Sequence, residues 1–179
     1  MKQILWVKFL IIALLFFFFS IFQNSFLPYF NIMGTSLNLV FILFFILIFF
    51  EDKYEYVQGF FLAIIAGFFL DTFLPFYFGI AIGSLLLIYF LKKLITHFLK
   101  ESQDKYPIFY FIPLFSTCFI AYSTLLYVSS ILLHLQFIFW ANILMGLIYN
   151  LVFACAGFYI YKKVSNVFSK DRQLKLLWT

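Results

Sequence analysis

The sequence predicts an all-α polytopic membrane protein built from six transmembrane helices, and three observations predict it. Of its 179 residues, 66% are hydrophobic and only 11% charged, where a water-soluble domain carries about 25% charged residues. The apolar residues fall in unbroken runs, as at 14–19 and 39–50, and lack the alternation of a transmembrane barrel. A backbone surrounded by lipid must satisfy its own polar groups, which helices do. Six spans also place all 12 Lys and Arg on one side. Disorder is excluded, because it requires low hydrophobicity.

The first helix is expected over about residues 4–22, with Lys8 close enough to the end to reach the interface. It looks like a signal peptide, but no small-residue cleavage site follows. Gln23-Asn24-Ser25 leads directly into Phe26-Leu27-Pro28, so the helix is read as uncleaved. A connector with Asn31 and Gly34 hands over to a second span at about 36–50, short for a bilayer unless part of the connector belongs to it. The acidic stretch Glu51-Asp52-Lys53-Tyr54-Glu55 ends it. A third span covers about 57–74 and stops at Pro75, which cannot continue a helical ladder. The fourth covers 78–98, with Lys92, Lys93 and His97 in its last turns, and a polar loop follows at 100–105. The fifth and sixth are expected at 108–133 and 137–161.

Residues 1–161 thus read as one six-helix transmembrane domain and 162–179 as a basic cytoplasmic tail. Lys2, Lys8, Lys53, Lys92, Lys93, Lys100, Lys105, Lys162, Lys163, Lys170, Arg172 and Lys175 share a side. The opposite connectors, around 23–35, 73–78 and 134–136, have none. By the positive-inside rule both termini are expected in the cytoplasm. The basic residues lie beside apolar segments as topology signals, so nucleic acid is not the expected partner; membrane lipid is.

In lipid, helices associate through close packing at small residues and buried polar contacts. Gly59, Ala63, Gly67 and Asp71 recur every four residues and define one face of the third helix. Asn142, Gly146, Asn150 and Ala154 repeat that spacing in the sixth. Both stripes are expected to pack against a helix, in this chain or in a partner. Asp71, the one acidic residue on the basic-free side, either accepts hydrogen bonds near the helix end or organises an external contact or ligand site. Ser and Thr along the fifth helix are expected to bond their own backbone.

No catalytic constellation emerges. His97 sits among lysines and His134 in a short turn, and no carboxylate pair, nucleophile with a base, Gly-rich phosphate loop or HExxH is present. Cys118 and Cys155 lie deep in apolar runs and read as small fillers, with neither a metal site nor a disulfide framework. No enzyme activity and no cofactor are expected.

The block Phe22-Gln23-Asn24-Ser25-Phe26-Leu27-Pro28, then an apolar helix, then Gln58-Gly59-Phe60 and Gly67-Phe68-Phe69-Leu70-Asp71, with Gly79 eight residues on, resembles the rod shape-determining MreD family. The resemblance covers residues 20–85, and the rest agrees by hydropathy. The chain has Leu37-Asn38 where that family often has Pro-Asp. The resemblance implies a non-enzymatic scaffold in the bacterial cytoplasmic (inner) membrane, part of the cell-elongation machinery for rod shape and peptidoglycan synthesis. Its implied partners are a bitopic MreC-like protein, a RodA-like glycan polymerase and penicillin-binding protein 2. The six-span arrangement is also similar to the substrate-binding subunits of energy-coupling-factor transporters, which makes a vitamin-binding subunit the alternative expectation.

Overall fold

A computed structural model of the chain describes residues 2–31, 34–50, 56–73, 78–98, 107–133 and 140–176. The expected stops at Glu51–Glu55 and Pro75, the loop at 100–105 and the turn around His134 lie outside the described residues. The fold is all-helical. In chain order it comprises α1 (Lys2–Ser25), a 3-10 turn (Leu27–Phe30), α2 (Leu39–Phe49), α3 (Tyr56–Phe73), α4 (Ile80–Phe98), α5 (Pro107–Leu132) and α6 (Trp140–Leu176), with no strand among the described residues. Among the described residues, two stretches are long and apolar enough to cross a membrane, Pro107–Leu132 and Ile143–Ser165.

The helix starts have local causes. Asn38 caps α2: its side chain accepts the N–H of Phe41 at 2.9 Å, while its carbonyl takes the first helical bond, from Ile42 at 3.1 Å, as an N-cap does. The helix therefore begins three residues later than the apolar run suggests, and Ser36 and Leu37 stay outside it. In the same way α4 begins at Ile80 and not at Phe78, because Gly79 holds φ at +107°, a backbone that residues with a Cβ rarely adopt. Pro107 opens α5, where its missing N–H costs nothing. Past Tyr161, α6 continues to Leu176, so most of the expected basic tail extends the last helix.

Helix α2 is the centre of the fold. Its Val40, Phe41, Ile42, Phe44, Phe45, Ile46, Ile48 and Phe49 are all buried, as an apolar surface on every side of a helix requires. It packs on α1, α3 and α6. Its contact with α5 is aromatic. Phe41, Phe45 and Phe49, four residues apart, interleave with Phe119, Phe115 and Phe111, also four apart but in reverse order. Ring centroids lie 5.5 Å apart for Phe41–Phe119, 5.1 Å for Phe45–Phe115 and 5.1 Å for Phe49–Phe111. The interplanar angles of 81°, 89° and 85° give edge-to-face pairs, each worth about 0.5–1.5 kcal/mol beyond area burial. The reversed order makes α2 and α5 antiparallel.

Around this axis α1 packs on α3, α3 on α4, α4 on α5 and α5 on α6. The outer faces are apolar: Leu10 and Phe18 on α1, Leu87 and Phe90 on α4, Val128 on α5, and Leu144, Ile148 and Val152 on α6 are exposed. An exterior of this kind suits a bilayer and not water.

Candidate functional site

Two groups of buried polar side chains lie at helix starts. The first lies at the start of α4. An α-helix begins with N–H groups that have no partner in the helix, and Gly79, which precedes Ile80, has no side chain to offer. Asp71, in the last turn of α3, supplies the acceptor. Its carboxylate accepts N–H bonds from Gly79 at 2.9 Å, Ala81 at 2.7 Å and Ile82 at 3.1 Å, and the residue is only 5% exposed. A carboxylate at the positive end of a helix dipole is favourable in charge as well as in bonding.

Such a contact requires α3 and α4 to approach closely, and Gly67 permits it. A Cβ at Gly67 would stand 2.5 Å from the Cα of Ile82 and 2.8 Å from its backbone nitrogen. Gly59 and Ala63, earlier on the same stripe, are buried too. This face is thus covered within the chain, and Asp71 closes its end. Thr72 bonds back to the Phe68 carbonyl at 2.8 Å.

The second lies at the start of α2, where three elements contribute. Asn150 of α6, 1% exposed, accepts the Asn38 N–H at 2.7 Å and donates to the Gly146 carbonyl at 2.8 Å and the Ser36 carbonyl at 3.4 Å. Gln23 of α1 accepts the Val40 N–H at 3.2 Å. Gly146 is buried beside Asn150, and a Cβ there would make ordinary contact with the Thr35 methyl at 3.8 Å. Ala154 is buried on the same stripe. Asn142 lies in the first turn of α6, and its side chain is outside the described residues. A further link joins α1 to α3: the fully buried Ser20 hydroxyl donates to the Phe69 carbonyl at 3.1 Å.

Sequence reading named Asp71 and Asn150 but not Gln23, Asn38 or Ser20 as members of this set. Asn38 carried a signal, an N-capping residue directly before an apolar run. Gln23 and Ser20 act on segments 17 and 49 residues away, which no local pattern discloses. Ser116, Thr117, Thr124, Ser129 and Ser130 donate to carbonyls of their own helix. Among the described residues no three His, Cys, Asp or Glu side chains group as a metal site requires.

The arrangement is suited to fixing backbone, since both Asp71 and Asn150 direct their polar atoms to main-chain groups. Comparison with protein-family models, curated proteins and solved structures finds no match for the chain.

Proposed function

We propose that the chain crosses the bacterial cytoplasmic membrane six times, with both termini in the cytoplasm, and acts as a non-enzymatic scaffold of the cell-elongation machinery. In this reading it binds a bitopic MreC-like protein, a RodA-like glycan polymerase and penicillin-binding protein 2. The placement of all 12 basic residues on one side supports the topology.

The short second span is compatible with six crossings. Helix α2 measures about 16 Å at 1.5 Å per residue, against about 30 Å of hydrocarbon. The four non-helical residues 35–38 ahead of it could add at most about 13 Å, at 3.3 Å each when fully extended. Non-helical backbone is tolerated at membrane depth only where protein satisfies it. Thr35 and Leu37 are buried, and Asn150 bonds both the Asn38 N–H and the Ser36 carbonyl.

One observation carries the choice of scaffold over vitamin-binding subunit. Helix N-termini inside a membrane protein are ready-made sites for anionic ligands, and the one at α4 holds the chain's own Asp71. Of the residues that carry the resemblance, Gln23, Gly67, Asp71 and Gly79 lie at these junctions. They shape the bundle, and its apolar outer faces remain for partner spans. Deleting the gene in a rod-shaped host tests the reading: cells are expected to lose their rod shape. Cells that keep their shape but lose uptake of a vitamin would overturn it in favour of the transporter subunit.

A further inference from the structure

The exposed ridge of α1 continues past the end of the helix. Phe16 and Ser20 are buried on its inner side, while Leu10, Leu14, Phe18, Phe22, Phe26 and Phe30, spaced by four, are all exposed. Residues four apart share a helix face, but α1 ends at Ser25, so the last two carry the ridge into the 3-10 turn. Their rings keep it continuous: Phe22 stacks on Phe26 with centroids 4.9 Å apart, and Phe26 lies 5.0 Å from Phe30. The turn is held to the bundle from its other side. Leu27 is buried there, and the Tyr149 hydroxyl of α6 donates to the Phe30 carbonyl at 3.5 Å.

Length places this turn at a membrane boundary. Counted from Lys8, the last basic residue of α1, a hydrocarbon layer of about 30 Å at 1.5 Å per residue ends at about residue 28, inside the turn. The ridge changes character at the same point. Tyr29, 85% exposed, adds a hydroxyl, and Asn24, Ser25 and Asn31 are exposed around it. Aromatic bodies with a polar tip, set among exposed amides and hydroxyls, suit the layer between hydrocarbon and water. We infer that Phe26, Tyr29 and Phe30, backed by Phe22, dock in the glycerol and headgroup layer of the phospholipid leaflet opposite Lys8 and fix the depth of α1. The patch is continuous with the apolar ridge of α1, which selects lipid as its occupant, and it has no basic residue, so the rings and not charge hold it there. The inference rests on α1 crossing the bilayer and not on the elongation-machinery reading.

The test uses the full chain in nanodiscs of zwitterionic phosphatidylcholine, with Trp6, Trp140 and Trp178 replaced by Phe so that one introduced tryptophan reports alone. Tyr29→Trp should lose most fluorescence to lipid brominated near the carbonyl end of its chains, less to lipid brominated near the methyl end, and least to aqueous iodide. Phe18→Trp, about 15 Å from Lys8 on the same ridge, should lose most to the methyl-end bromines. Adding Phe26→Ser with Phe30→Ser should shift the quenching of Tyr29→Trp from bromine toward iodide, and an unchanged profile would contradict the anchor. With Phe18→Trp deep in lipid, a Tyr29→Trp quenched chiefly by iodide would put the turn in water and overturn the inference. One shielded from bromine and iodide alike would overturn it too, because protein would then cover the rings. A Phe18→Trp quenched chiefly by iodide would overturn the crossing of α1 and the anchor with it.

Discussion

The carboxylate of Asp71 meets the backbone N–H of Ala81 at 2.7 Å, ten residues further along the chain, and so the last turn of α3 caps the first turn of α4. The two helices pack as neighbours along a seam at the Gly67–Ile82 contact.

Asp71→Ala should leave three N–H groups at the start of α4 without their acceptor. Donors stranded in a buried place are costly, and a loss on the order of 3 kcal/mol is expected. Asp71→Asn keeps one acceptor oxygen and should lose less. Thermal unfolding in mild detergent, followed by size-exclusion fluorescence, reads the order wild type, Asn, Ala; an Ala variant that melts with wild type would refute the capping role.

Two glycines should respond in opposite ways. Gly67→Ala places a methyl against the Ile82 backbone and should cost about 1–3 kcal/mol by overpacking. At Gly83 a Cβ meets nothing within 4 Å. Gly83→Ala should therefore be tolerated, or stabilise by up to about 1 kcal/mol through helix propensity. The same melting measurement separates them, and equal behaviour of the two variants would contradict the α3–α4 geometry.

Asn150→Ala and Asn38→Ala should not add. Each removes one part of the same arrangement, since Asn150 accepts from the Asn38 N–H and the Asn38 side chain holds the Phe41 N–H. Neighbouring residues in one network couple by about 0.5–3 kcal/mol. A double variant whose loss equals the sum of the single losses would separate the two caps.

Phe45→Ala removes the middle rung of the aromatic ladder. Phe45 contacts both Phe111 at 5.6 Å and Phe115 at 5.1 Å and is fully buried, so a loss of about 3–5 kcal/mol is expected. Phe109→Ala, on the exposed side of α5, serves as the comparison and should change stability little.

Much of this was legible in residue spacing. The four-residue period of Gly59, Ala63, Gly67 and Asp71 marked a packed face, and unbroken apolar runs marked the helices. Spacing along one helix does not say which other helix it meets, however. The α4 partner of Gly67 and the caps given by Gln23 and Asn150 depend on tertiary approach and left no local trace. Helix ends shifted where backbone conformation decided them, at Asn38 and at Gly79. The interleaving of Phe41, Phe45 and Phe49 with Phe111, Phe115 and Phe119 was hidden because phenylalanine is abundant on every face, lipid-facing and buried alike.

Topology has its own test. In a protein with Cys118 and Cys155 replaced by Ala, a single cysteine at Asn31 should react with an impermeant thiol reagent in intact cells, and one at Ser102 should not. The reverse pattern would invert the proposed orientation.

The scaffold reading stands or falls on what the protein holds. A tagged chain purified from its host in mild detergent should bring down a bitopic coiled-coil protein and a polytopic glycan polymerase, recruited through the packing and hydrogen bonds that drive association in lipid. Recovery of ATPase subunits in their place, or of a vitamin-sized molecule released on denaturation, would contradict the account.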